Sequence, residues 1–171
     1  DSFLNEKGVL IVTNSCADSK VVDGEVKEGG IGYALRRVMA ERASSAREAV
    51  TIGAQLLDEY GYFHSGRSYQ VADANEAWVF HVMNGKHYLA VRVPDNQIYV
   101  MSNAYVLGKV NLNDKANVIA SPGLVEYAIA KGWYKPAKAG DYADFDFARV
   151  FQSAAMRDND SKKYRHRSNL F

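Results

Sequence analysis

The sequence predicts an α+β domain built on an antiparallel sheet, and three observations carry that prediction. Between Gly66 and Asn103, four short apolar runs (68–72, 77–83, 87–93 and 98–101) are separated by turn signals at 73–75, 84–85 and 94–96. The separators are too short for crossover helices, so the economical arrangement is an antiparallel meander. In the second run Trp78, Phe80 and Val82 alternate with Val79, His81 and Met83. A strand apolar on both faces is usually covered on both, which places this sheet inside a layered domain. Helical patterns before and after the meander supply the covering layers.

The elements follow in order. The β-branched run 8–14 comes after an Asn-Glu-Lys-Gly turn and reads as a strand. Residues 30–42 read as a helix with Ile31, Ala34, Leu35 and Val38 on one face. A second helix over 45–60 opens at Ser44-Ser45, with Glu48 at capping-box spacing, and stops at Gly61. Its apolar face is Ala49, Ile52, Leu56 and Leu57. After the meander, Ser121 and Pro122 start a helix through Ala130 that Gly132 ends, and 144–152 forms one more short helix.

A chain of 171 residues, 47% hydrophobic, can bury one core, so a single domain over 1–171 is expected. The net charge of +1 is dispersed except in the basic run 162–167, so no attraction to nucleic acid or an anionic membrane follows. No apolar run approaches the roughly 20 residues needed to cross a bilayer. The single cysteine, Cys16, excludes an internal disulfide and leaves the compartment undetermined.

Individual side chains each carry a chemical and a plain reading. Cys16 is read as a small, partly buried thiol, because no base or strained turn accompanies it. Asn14, at a strand end, can aim an amide N–H at a developing oxyanion or cap the loop that follows. Asn103 ends the last run, a common place for a site, and otherwise serves the turn. His64, His81, His87 and His166 have no metal-ligand spacing, although His81 and His87 are expected on adjacent strands. They are read as ordinary sheet histidines, and no metal or cofactor is expected. Asp73 and Glu76 flank a turn, and the glycines at 29, 30 and 32 set the approach to a helix rather than a phosphate loop.

Several motifs also occur in a familiar order. Gly66-x-Ser68-Tyr69 is followed by Ala72-Asp73-x-x-Glu76-x-Trp78, then by the Gly-Lys-His-aromatic to Arg-Val-Pro-Asp run over 85–95, then by Asn103 before Tyr105. Phe3-x-Asn5-Glu6-x-Gly8-Val9, Asn14-Ser15, 121–134, Phe145 to Ala148 and Tyr164-Arg165-His166-Arg167 extend the match. This ordered set resembles the dipeptidase A family, cysteine peptidases of the N-terminal-nucleophile (Ntn) hydrolase superfamily and relatives of the bile-salt and penicillin V acylases.

The resemblance implies part of an αββα layered sandwich and a dipeptide or small amide as substrate. It implies that Asn14 helps hold the oxyanion, Asn103 positions substrate and Arg167, with Arg165 beside it, supplies positive charge. It also implies a nucleophilic cysteine at a mature N-terminus, where this sequence has Asp1. The chain is therefore expected to be an internal piece of a longer enzyme, inactive alone and prone to form homo-oligomers through uncovered apolar surface. Two alternatives stand beside this: hydrolysis of bile-salt or penicillin-type acyl amides, and a non-catalytic binding domain using an aromatic sheet face of Tyr69, Trp78, Tyr88 and Tyr99.

Overall fold

The computed structural model describes residues 2–14, 19–20, 28–101 and 103–154. Six strands form one antiparallel sheet in chain order: β1 (Ser2–Leu4), β2 (Leu10–Asn14), β3 (Tyr62–Ala72), β4 (Ala77–Gly85), β5 (Tyr88–Arg92) and β6 (Val118–Ala120). Between β2 and β3 run helices α1 (Ala34–Arg42) and α2 (Ala46–Tyr60); α3 (Leu124–Ala130) and α4 (Phe147–Phe151) follow the sheet. This is the α+β architecture the alternating and helical patterns predict. Among the described residues, no helix is long and apolar enough to cross a membrane.

β4 is the central strand, and its two apolar faces are both covered. Trp78, Phe80 and Val82 pack under α1 and α2 with Leu35, Met39, Val50 and Leu57. Val79 and Met83 enter a second core with Leu124, Phe145, Phe147 and Phe151. The aromatic face suggested for partner binding is therefore corrected. Tyr69, Trp78 and Tyr88 are buried by the protein's own helices, because α2 lays an apolar stripe along that face.

Local chemistry fixes the helix ends. The Ser45 hydroxyl accepts the Glu48 N–H (3.2 Å), and the Glu48 carboxylate accepts the Ser44 N–H (2.7 Å), a reciprocal cap one residue wider than the usual box. Gly61 closes α2 at φ 70°, a conformation that favours glycine.

Three expected boundaries shift. The run 98–101 is not a strand: after Pro94 a turn carries the chain off the edge of β5, and β6 takes the place beside it. Ile98 is left 94% exposed. The first helix begins at Ala34 rather than Gly30, because Ile31 pairs in parallel with Tyr62 and holds the preceding residues extended. α3 begins at Leu124, beyond Pro122, because left-handed Gly123 (φ 67°) interrupts helical geometry.

Gly53 is where α2 approaches the sheet most closely. A Cβ there would lie 2.8 Å from Phe80 Cε1 and 2.9 Å from Met39 Sδ. Alanine would gain about 1 kcal/mol of helix propensity, but overpacking costs about 1–3 kcal/mol. Gly53→Ala is expected to lower stability by about 1 kcal/mol in urea unfolding; a higher midpoint would show that α2 can lift without cost.

Candidate active site

The sheet register brings three polar residues into one row. Asn14 on β2 lies opposite Ser68 on β3, and Ser68 lies opposite His81 on β4. Directly opposed residues share a face, so all three point toward the second core. The segment 101–107 crosses this row. Asn14 Nδ2 donates to the Met101 carbonyl (2.8 Å), a contact spanning 87 positions. Asn14 is thus tied to the stretch carrying Asn103, whose side chain is half-buried two residues further on.

His81 anchors the same segment. Its Nε2 accepts the N–H groups of Val106 (3.0 Å) and Leu107 (3.3 Å). An accepting Nε2 carries no proton, so the neutral ring bears its hydrogen on Nδ1 and donates it to Ser68 Oγ (2.6 Å). Full burial pushes the imidazole down to about 3. Because Nδ1 is already protonated, it cannot take the Ser68 proton, so the pair is not an activated serine nucleophile. Tyr105 completes the clamp through its hydroxyl to the Val82 carbonyl (2.8 Å) and its N–H to Gln152 Oε1 (2.7 Å).

The opposite face at this end carries Arg67, which the sequence reading passed over. Arg67 is only 7% exposed. Nε donates to the Tyr62 hydroxyl (3.0 Å), Nη1 lies 3.5 Å from Thr13 Oγ1, and the Tyr33 ring lies 4.6 Å from Cζ. Burial works against its charge, and the surrounding Tyr62, Tyr69 and Tyr33 offset this, so its pKa is raised. The signal was present in the period-2 pattern, which sets Arg67 on one face with Tyr69 and Val71.

The remaining candidates have ordinary roles. Asp73 accepts the N–H groups of Asn75 and Glu76 in its turn and also that of Ala46 (2.6 Å), capping α2. Burial opposes its ionisation, but these three bonds hold the carboxyl below its usual range. Glu76 pairs with Arg92 (3.1 Å) and Arg47 (3.2 Å), so it does not form a carboxylate couple with Asp73. His64 stacks on Tyr33 at 4.4 Å, and desolvation with the Arg67 charge lowers its pKa. His87 meets Ser121 Oγ at 3.3 Å, while His81 opposes Leu89 rather than His87, so the two histidines do not converge. Among the described residues, no three His, Cys, Asp or Glu side chains group as metal ligands. Asp1, Cys16, Arg165, His166 and Arg167 lie outside the described residues.

A covered antiparallel sheet, with Asn14 at the end of β2 tied to the segment that crosses it, defines an α+β domain of the kind its sequence motifs suggested. Over residues 9–168 the chain matches peptidase family C69, and it belongs to that family. It is similar to a protein named "Probable dipeptidase B" from Streptococcus pyogenes serotype M3, with 30% identity over 180 residues covering 95% of this chain and 35% of the relative. A "Probable dipeptidase" from Salmonella dublin is 32% identical over 134 residues, covering 77% of this chain and 29% of that protein. Another from Latilactobacillus sakei is 27% identical over 159 residues, covering 91% and 32%. The chain spans about a third of the length of these curated relatives.

Proposed function

We propose that this chain is the substrate-positioning part of a cysteine-type Ntn dipeptidase, and part of an αββα sandwich. The observation that supports the reading is the Asn14–Met101 hydrogen bond, which ties Asn14 to the stretch that carries Asn103 within a C69 peptidase sequence. The relatives' printed names support a dipeptide as substrate.

In this reading a cysteine outside the 171 residues attacks the peptide carbonyl, and its thiol proton passes to its own α-amino group. Asn14, whose second amide N–H is not used by Met101, donates to the oxyanion. Asn103 holds the substrate, and Arg167 adds positive charge. Collapse of the tetrahedral intermediate breaks the C–N bond, and the leaving amine takes the proton. Water then hydrolyses the thioester. Asp1 has no place in this acyl transfer.

The test uses the native full-length protein and a panel of dipeptides, with penicillin V and bile-salt conjugates in parallel. Dipeptide hydrolysis is expected, and Asn14→Ala should lower kcat by about 100-fold or more with little change in KM. Turnover of the acyl amides alone would reassign the substrate. Undiminished kcat in Asn14→Ala would remove Asn14 from the chemistry.

A further inference from the structure

Among the described residues, the arginines in ion pairs meet carboxylates: Arg37 with Glu41, Arg47 with Glu76, and the half-buried Arg92 with both Glu76 and Asp95. Arg67 is far more buried than these. Its partners are two hydroxyls and an aromatic ring, all neutral, and among the described residues no carboxylate lies within ion-pair distance. A guanidinium carries five N–H donors. Arg67 uses one on Tyr62 and another, weakly, on Thr13, so most of the fork remains unspent. Taking such a charge out of water costs several kcal/mol unless an anion and full hydrogen bonding compensate. The covering Tyr33 is itself 53% exposed, so the guanidinium lies beneath a residue that meets solvent.

From this arrangement we propose that Arg67 is the receptor for a carboxylate, and specifically for the terminal carboxylate of the substrate. The inference rests on the dipeptidase reading above. Planar, forked guanidinium matches carboxylate in two-point contact, which a lysine would not provide. Position supports the substrate as source. Thr13, which meets the guanidinium, immediately precedes Asn14, and Arg67 immediately precedes Ser68, the partner of Asn14 across the sheet. The scissile carbonyl and terminal carboxylate of a dipeptide are one residue apart, so their receptors belong at one end of the sheet, where Asn14 and Arg67 both lie. Asn14 and Arg67 leave opposite faces of the sheet, so the substrate spans the rim where β2 ends. A single carboxylate receptor beside the reacting carbonyl accepts a dipeptide and leaves a longer peptide without that contact.

The same chemistry could come from an aspartate or glutamate of the protein itself, and the experiment separates the two sources. In the native full-length protein, the Arg67 Nε–Hε NMR resonance, assigned with Arg67→Lys, is followed during titration with two probes. One is glycylglycine with a reduced CH2–NH bond and a terminal carboxylate; the other is its carboxamide. The carboxylate probe is expected to shift the resonance and bind about tenfold or more tighter than the carboxamide. Arg67→Gln should abolish that preference, and Arg67→Lys should weaken it if the glutamine variant does not fold. Equal binding of both probes, with the resonance unmoved, would assign the anion to the protein's own carboxylate and overturn the proposal. Dipeptide hydrolysis is measured on the same preparation. Hydrolysis without carboxylate preference defeats this inference alone. A carboxylate-dependent shift without hydrolysis leaves the receptor standing and defeats the dipeptidase reading.

Discussion

The His81→Leu variant is expected to lose about 2–6 kcal/mol of stability at pH 7, because the N–H groups of Val106 and Leu107 lose their acceptor at about 1–3 kcal/mol each. Ser68 Oγ loses the Nδ1–H donor as well. Leucine fills the volume but offers no acceptor, and the clamp on segment 101–107 is released. A second signature distinguishes this from a simple packing defect. Burial lowers the folded-state pKa of His81 to about 3, below its ordinary value of 6.5. Protonation therefore favours the unfolded chain. The contribution of neutral His81 is complete above pH 6.5 and is lost as the pH falls from 6.5 toward 3, at about 1.4 kcal/mol per pH unit. Guanidinium unfolding at pH 7, 6 and 5 should show this slope in the wild type and its reduction in His81→Leu. His64, also lowered by desolvation and the Arg67 charge, leaves a smaller residual slope. Equal slopes in the two proteins would mean that His81 is charged in the folded state, and the tautomer assignment would fall.

His81 also shows where sequence reading stops. Strand alternation placed it on the face opposite Trp78 and Phe80, and the structure agrees. Its partners come from residue 68 and from 106–107, and no local pattern states that those segments meet. Capping and turn chemistry was legible at Ser45, Gly61 and Asp73 because those signals act within a few residues. Even there, Asp73 reaches 27 positions back to cap α2, a contact only the fold reveals. The run 98–101 failed for a related reason. Its β-branched and aromatic residues have strand propensity, but propensity does not choose partners, and three residues at 118–120 won the edge of β5. Asn14 and Asn103 were legible as candidates, whereas the bond from Asn14 to Met101 was not. Arg67 is of a residue type that is mostly solvated, although its place beside Tyr69 and Val71 marks it as inward-facing.

Gly66→Ala is expected to be nearly as damaging as loss of His81, through sterics rather than hydrogen-bond chemistry. A Cβ at position 66 would lie 2.2 Å from the Tyr105 hydroxyl oxygen and 3.2 Å from the Val82 carbonyl oxygen. Tyr105 is 3% exposed and donates its hydroxyl to that same carbonyl, so it has no open volume to enter and a bond to lose. Overpacking costs about 1–3 kcal/mol, and the stranded hydroxyl and carbonyl add about 1–3 kcal/mol. The expected loss is about 2–6 kcal/mol on these two contributions. Tyr105→Phe provides the control, because it removes the clashing oxygen and sacrifices only the hydrogen bond. In the Tyr105→Phe background, Gly66→Ala should cost at least 1 kcal/mol less than in the wild type, a coupling readable in a double-mutant cycle. Additive losses would show that strand β3 absorbs the methyl by shifting at its irregular pairing between Tyr62 and Gly66. That shift would displace Arg67 as well, so the cycle also reports how rigidly the sheet holds its buried guanidinium.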